Sequence, residues 1–193
     1  GFATLMFGMD TMSGAVSFLK DSPEFAALFT LFTNPILGVI VGAVVTTLMQ
    51  SSSASVGILQ ALSVTGSITY GSVIPIIMGQ NIGSCTTSLI SCVGANKNAK
   101  RAATVHLVFN IFGTITCLTV FYIVRGFLGS ALDSTASMLG IAIVNTSYKL
   151  IISLIFLPMS SLLEKLASKI IPDAKRPEEV SELDDRLLGT PTI

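Results

Sequence analysis

Two clusters of neutral polar residues lie within a long stretch that has no charge, and their side chains could bind ions. The first cluster is Gln50, Ser51, Ser52 and Ser53, and the second covers residues 79–87, GQNIGSCTT. Hydroxyl and amide oxygens suit a hard cation such as Na⁺, while the hydrogens of the same groups can donate to an anion. Neither cluster contains a carboxylate, so a cation bound there would be held by neutral oxygens and by the charge of a bound anion.

The first cluster lies between two predicted helices, residues 35–49 and 54–64. At about 1.5 Å per residue, the first of these helices reaches only ~22 Å, short of the ~30 Å hydrocarbon core of a bilayer. Two short helices around a polar break predict a re-entrant hairpin or a broken membrane helix. Irregular backbone at membrane depth has to be enclosed by protein or line a wet cavity, so we expect a site at this break. The helix that starts at the serines offers free N–H groups and a partial positive charge to an anion.

The second cluster is predicted to interrupt a further apolar stretch, with short helical pieces at 73–78 and 89–93. A basic loop is predicted at 94–101, and Gly38 and Gly42 form a G-x-x-x-G pattern that favours close helix packing. For Gly79 and Gly83, a close helix crossing is the alternative to a role in a site. The remaining predicted elements are a helix at 2–19, a short interfacial helix at 24–32, membrane-spanning helices at 102–124 and 135–163, and a turn at 125–134.

Charge and hydropathy predict the fold class. The chain has 193 residues with 11 basic and 11 acidic side chains, yet residues 25–96 and 102–124 contain no Asp, Glu, Lys or Arg. The mean hydropathy is +0.78, and about 20 apolar residues are enough for one helix to cross a bilayer. We therefore expect an all-α, multi-pass membrane protein.

The charged residues outside these stretches predict the orientation of the protein in the membrane. Short cytoplasmic loops carry an excess of Lys and Arg. The basic loop is predicted to lie on the same side of the membrane as the C-terminal segment. The turn on the other side of the membrane has one base and one acid. The residues concerned are Lys97, Lys100 and Arg101 in the loop, Lys165 and Lys169 in the C-terminal segment, and Arg125 and Asp133 in the turn. The basic loop and the C-terminal tail should therefore be cytoplasmic.

The motif Gln50-Ser51-Ser52-Ser53, followed by Gly79-x-Asn81-Ile82-Gly83, resembles the type II sodium/phosphate cotransporter family. The resemblance covers roughly residues 1–165, including the pattern Ala103-x-x-His106-x-x-Phe109-Asn110. It implies a transmembrane transport repeat at 1–165 that forms one half of an inverted-repeat transporter, with a re-entrant helical hairpin and broken helices. Residues 166–193 would be a cytoplasmic linker that enters a PhoU-like domain, and the chain would be a fragment of a longer protein.

The same resemblance implies sodium-coupled transport of inorganic phosphate across the plasma (inner) membrane, and no enzymatic activity. Na⁺ would be the coupling ion, with no other cofactor. The partners would be phosphate, Na⁺, the lipid bilayer, the missing first repeat of the same protein and the PhoU-like domain, with no nucleic acid.

The family's phosphate and sodium contacts fall on eight residues of this chain: Gln50, Ser51, Ser52, Ser53, Gln80, Asn81, Ser84 and Thr87. Among them, Gln50, Ser52 and Asn81 are candidates to hold Na⁺. The chain departs from the family at three positions. Ser84 replaces a threonine and keeps the hydroxyl, Gln80 replaces a small residue, and Lys149 stands where related helices often have asparagine.

Other interpretations of these residues remain open. The chain could be a membrane anchor or phosphate sensor that does not transport, or the serines could serve only helix packing. An intramembrane serine hydrolase using His106 is disfavoured because no Gly-x-Ser-x-Gly elbow is present. Lys149 is a functional candidate as an intramembrane charge, and it could instead extend to the interface or pair with Asp10. The choice among oxyanions and the Na⁺ stoichiometry are also open.

Overall fold

The computed structural model describes residues 1–16 and 34–172, and this part of the chain is helical throughout, with one isolated β-bridge between Thr69 and Thr135. The prediction of an all-α protein is confirmed. The predicted helix at 24–32 and the tail from 173 onward lie outside the described residues. The α-helices are α1 (Phe2–Val16), α2 (Pro35–Met49), α3 (Ser52–Ser63), α4 (Tyr70–Gly83), α5 (Cys85–Ser91), α6 (Lys97–Arg125), α7 (Gly129–Leu132), α8 (Met138–Phe156) and α9 (Ser160–Ile170), with a 3₁₀ turn at Leu157–Met159.

Three helical stretches in the described part are long and apolar enough to cross a membrane: Tyr70–Ser91, Lys97–Arg125 and Met138–Ile170. The second and third agree with the spans predicted at 102–124 and 135–163. Large apolar side chains such as Ile115 and Ile123 are exposed along α6, as expected of a helix that faces lipid rather than water. The predicted domain boundary at residue 165 falls inside α9.

The backbone prediction for the second polar cluster was wrong. Helix α4 continues through the polar residues to Gly83, and α5 starts at Cys85. Ser84 between them keeps helical angles (φ −63°, ψ −21°). The polar side chains do not break the helix because neighbouring helices bury them, so the stretch becomes one span instead of two short pieces.

The prediction of a basic loop at 94–101 was also wrong in part. Helix α6 already begins at Lys97, and Asn96 caps it by accepting a hydrogen bond from the Ala99 N–H at 2.9 Å. Asparagine is a favoured N-cap, and lysine and alanine are good helix formers. All three charged residues of the predicted loop, Lys97, Lys100 and Arg101, therefore lie in the first turns of a helix.

Helices α2 and α4 cross at backbone contact through glycines. A Cβ on Gly42 would collide with the carbonyl of Ile76, and a Cβ on Gly79 would collide with the carbonyl of Val39. A Cβ on Gly83 would lie 2.5 Å from the Ala43 carbonyl oxygen. Because lipid provides no hydrophobic force between helices, such close approach through small residues is a main source of their association. The close-packing interpretation is thus confirmed for both glycine pairs.

Helix α4 lies at the centre of the described structure. Its buried apolar residues join two clusters, one with α3 and α8 and the other with α6, α8 and α9. Ile77 is fully buried in the first cluster, and Met78 is buried in the second. This central position takes the neighbouring Gln80 and Asn81 into the interior, where both are buried.

Candidate functional site

The first polar cluster forms a tight turn between α2 and α3. Gln50 ends α2 in the left-handed conformation (φ +52°), and its N–H donates to the Thr46 carbonyl at 2.8 Å. Ser51 caps α3, since its hydroxyl oxygen accepts from the Ala54 N–H at 3.3 Å. The first N–H groups of a helix have no partner within it. The N–H groups of Ser52 and Ser53 are therefore available to an anion at the start of α3.

The side chains of this turn lie at the surface of the chain. Gln50 and Ser53 are exposed, whereas Ser51 and Ser52 are half-buried. The turn is uncharged, and the helices on both sides of it are apolar. It therefore presents four neutral polar side chains at the surface of the described structure.

Beneath the turn, a buried hydrogen-bond network joins three helices. The hydroxyl oxygen of Ser55 on α3 accepts a hydrogen bond from the Thr46 hydroxyl at 2.9 Å and another from the Gln80 amide nitrogen at 2.8 Å. Their exposed fractions are 1% for Ser55, 0% for Thr46 and 3% for Gln80. The network connects the first polar cluster to the second and holds α2, α3 and α4 together at this point.

Sequence reasoning selected Gln80 but missed Thr46 and Ser55. Thr46 lies four residues before Gln50 and Ser55 lies four residues after Ser51, so each is one helical turn from the polar break. This spacing could have indicated both residues, because side chains four positions apart lie on the same face of a helix.

The side-chain oxygen of Gln80 is buried and has no hydrogen-bond partner among the described residues. Its amide nitrogen is already bonded to Ser55. A buried acceptor without a partner costs about 1–3 kcal/mol. It is also the kind of neutral oxygen that binds a hard cation, so Gln80 fits the role of an ion ligand.

Asn81 and Ser84 belong to a different place from Gln80. They line a cavity of about 270 Å³ between α4, α6 and α8. The Asn81 amide nitrogen donates to the Ile77 carbonyl at 2.8 Å. Within the described residues, no hydrogen bond joins Asn81 to Gln50 or Ser52, so a shared Na⁺ site of these three residues stays a prediction.

The threonines that follow bond in different directions. The Thr87 hydroxyl donates to the Ser84 carbonyl at 2.9 Å, within its own helical stretch. Thr86, which the sequence did not single out, bonds through its hydroxyl to that of Thr47 on α2 at 3.0 Å. Thr86 is therefore the threonine that ties α5 to the end of α2.

His106 and Lys149 both line the cavity between α4, α6 and α8. The Nδ1 atom of His106 lies 3.0 Å from the Ser88 hydroxyl, so its hydrogen bond goes to a serine outside residues 51–53. Lys149 is exposed and lines the cavity. In the described part of the chain no ion pair joins it to Asp10, which leaves this pairing without support.

The chain is similar in sequence to known proteins. The sequence model of the Na⁺/Pi-cotransporter family matches residues 4–151. The chain is 27% identical to the uncharacterized protein YqeW of Bacillus subtilis over 86% of its own length and 52% of that protein. It is 36% identical to the human sodium-dependent phosphate transport protein 2B, over 58% of this chain and 17% of that protein.

A further relative covers the whole chain. It is the putative inorganic phosphate export protein YjbB of Escherichia coli, at 23% identity over 100% of this chain and 36% of that protein. The chain thus spans about half, or less, of the length of these curated relatives. No solved structure matches it. The family match extends from α1 through the serine turn, the central helix and most of α8, and the chain therefore belongs to the Na⁺/Pi-cotransporter family.

Proposed function

We propose that this chain is one repeat of a transporter that carries inorganic phosphate across the plasma membrane, coupled to Na⁺. The observation that carries the proposal is the hydrogen-bonded connection from the serine turn through Ser55 to Gln80, whose buried oxygen has no partner among the described residues. Relatives named as sodium-dependent phosphate transport protein and as phosphate export protein support the same substrate.

Phosphate would bind at the start of α3. The N–H groups of Ser52 and Ser53 and the hydroxyls of residues 51–53 can donate to its oxygens, and the helix dipole favours negative charge at this end. In transporters with broken helices, helix N-termini point at anionic groups of the substrate. The turn of this chain offers such an end without any fixed positive charge.

Na⁺ would be held by neutral oxygens. Gln50, Ser52 and Asn81 are the proposed ligands, and the unpartnered oxygen of Gln80, which lies in different surroundings from Asn81, offers a further neutral oxygen of the same kind. Ser84 and Thr87 follow Asn81 at intervals of three residues, so they lie along one side of the same helical stretch and would line the pathway. Phosphate bound beside Na⁺ would supply the charge that these neutral ligands lack.

A second repeat would complete the site. Gln50 and Ser53 are exposed at the edge of this chain, and an equivalent turn from an inverted repeat could face them. Movement of one repeat against the other around the bound ions would then give alternating access. The C-terminal tail would be cytoplasmic and lead into a PhoU-like domain.

Uptake of radiolabelled phosphate by the intact protein in proteoliposomes tests the proposal. We expect uptake that follows an inward Na⁺ gradient and stops when choline replaces Na⁺. Ser52→Ala should reduce uptake strongly, and Ser52→Thr, which keeps the hydroxyl, should retain part of it. Uptake that continues in choline would refute the coupling to sodium. Phosphate binding without any flux would favour a sensor instead.

A further inference from the structure

The cavity between α4, α6 and α8 has one residue of fixed charge in its lining, Lys149, and no carboxylate. Its other lining residues are polar or aromatic, with one isoleucine: Asn81, Ser84, His106, Phe109, Asn110, Tyr148, Ile152 and Ser153. Lys149 belongs to α8, roughly 16 Å along the axis from the start of that helix at about 1.5 Å per residue. A lysine at such depth in a membrane span is expected to face a polar cavity and to find partners there.

Hydrogen bonding shows which side-chain atoms of the two asparagines are already in use. The side-chain nitrogen of Asn81 bonds the Ile77 carbonyl at 2.8 Å, and that of Asn110 bonds the His106 carbonyl at 2.9 Å. A carbonyl can only accept, so in each case the atom beside it is the amide nitrogen. The two side-chain oxygens are therefore the atoms left to bind something else.

The hydroxyl hydrogens around the cavity are also in use. The Ser84 hydroxyl donates to the Asn81 backbone carbonyl at 2.7 Å. The Thr114 hydroxyl donates to the Met78 carbonyl at 3.3 Å, so in its 3.1 Å bond with the Tyr148 hydroxyl the tyrosine is the donor. Each asparagine keeps one further N–H, and His106 and Ser153 can also donate, while the side-chain oxygens of Asn81 and Asn110 are acceptors that suit a cation.

We infer that the Lys149 ammonium is a tethered cation that occupies this cavity, held by the side-chain oxygens of Asn81 and Asn110. The ammonium group has three donors and no acceptor, which complements these oxygens. Since Asn81 is also a proposed Na⁺ ligand, the inference rests on the proposed function. Na⁺ that reaches Asn81 has to displace the ammonium, so Lys149 sets the Na⁺ concentration at which the site fills.

The test is a Na⁺ titration of the purified intact protein, followed by its melting temperature with choline keeping the ionic strength constant. Lys149→Met removes the charge, and we expect half-saturation at a lower Na⁺ concentration than in the wild type. Lys149→Arg keeps a cation and should stay close to the wild type. Lys149→Gln, which is neutral and polar, is the second neutral variant and is used for the titration if the methionine variant does not fold.

Asn110→Ala tests the coordination separately. Combined with Lys149→Met it should cancel the gain in Na⁺ affinity, because one of the two oxygens is gone. Equal Na⁺ affinity in the wild type and both neutral Lys149 variants would overturn the inference. A weaker affinity for phosphate with unchanged Na⁺ affinity would also overturn it, since Lys149 would then hold the anion.

The melting titration does not depend on transport, which keeps the two proposals separable. If no variant takes up phosphate in proteoliposomes, the proposed function fails while the Na⁺ titration still reports on Lys149. If uptake is driven by Na⁺ in the wild type and in Lys149→Met with the same Na⁺ dependence, the tethered cation fails while the proposed function stands.

Discussion

The amide nitrogen of Gln80 donates a hydrogen bond to the Ser55 hydroxyl oxygen over 2.8 Å, although the residues are 25 positions apart. This bond connects the helix that follows the serine turn to the last turn of α4. The side-chain oxygen of the same glutamine is buried and has no hydrogen-bond partner among the described residues.

Gln80→Leu should abolish or strongly reduce Na⁺-driven phosphate uptake, because it removes both the bond to Ser55 and the free oxygen. The lost hydrogen bond alone would lower the free energy of unfolding by about 1 kcal/mol, and removal of the buried unpartnered oxygen should offset that loss. Gln60→Leu is a matched control, since the Gln60 amide bonds the Met138 carbonyl at 2.9 Å on another side of α3. It should lower the free energy of unfolding by about 1 kcal/mol, measured by thermal unfolding in detergent, and leave uptake intact. Equal loss of uptake in both variants would contradict the role of Gln80.

Gln50→Gly should stabilise the turn and impair transport. A left-handed φ of +52° costs a residue with a Cβ about 1 kcal/mol relative to glycine. Glycine should therefore raise the melting temperature while removing the amide. Gln50→Ala separates the two effects, because it keeps the backbone cost and also lacks the amide. Normal uptake in both variants would show that the Gln50 side chain is not a ligand.

Gly42→Ala and Gly79→Ala should each force α2 and α4 apart. The added methyl group would overlap a backbone carbonyl of the opposite helix, which cannot move aside as a side chain can. We expect a loss of about 1–3 kcal/mol or more, with lower expression and a lower melting temperature. Gly129→Ala is the control, as nothing lies within 4 Å of its added Cβ. A melting temperature unchanged in the first two variants would disprove the close crossing.

Variants of Ser51 should separate helix capping from anion binding. Ser51→Ala removes the acceptor for the Ala54 N–H and should cost about 1 kcal/mol. Asparagine and aspartate both cap helices well, so Ser51→Asn and Ser51→Asp should recover the melting temperature. Aspartate adds a negative charge beside the proposed phosphate site, so only Ser51→Asp should raise the KM for phosphate sharply. The same KM for both variants would count against phosphate at this helix end.

Orientation can be tested by labelling single cysteines in intact cells. Asn98 at the start of α6 and Ser130 in α7 are both exposed, and each can be changed to cysteine after Cys85, Cys92 and Cys117 are replaced. The excess of lysine and arginine near Asn98 predicts that this side is cytoplasmic. A membrane-impermeant maleimide added outside should label Ser130→Cys and not Asn98→Cys. The reverse pattern would show that the orientation is inverted.

Local features of the sequence were sufficient for several elements. The predicted helix 35–49 matches α2 at both ends, because Asn34 caps it, proline is favoured at the first position, and the polar residues follow directly. The two membrane-spanning helices at 102–124 and 135–163 were also predicted from the length of their apolar stretches and the scarcity of charge in them. These are properties of neighbouring residues, so they can be found without knowing which helices pack together.

The conformation of the second polar cluster could not be predicted from neighbouring residues alone. Gly79, Gln80 and Asn81 suggested a break, yet α4 stays helical because α2 crosses it closely at the glycines. The same crossing buries Gln80 and Asn81 in different surroundings, with Gln80 bonded to Ser55 and Asn81 lining the cavity with Lys149. Sequence spacing could not separate adjacent residues in this way, since the neighbours of each come from distant parts of the chain.

The sequence by itself determined that this is a helical membrane protein with a serine turn between two short helices, because lipid restricts a charge-free apolar chain to helices and a polar break to a protected place. Only the tertiary structure decided which polar groups meet. It joined Thr46, Ser55 and Gln80, and it gave Asn81 and Lys149 a common cavity. These contacts depend on how closely the helices approach, and that distance is set by the glycines on both sides of the α2–α4 crossing.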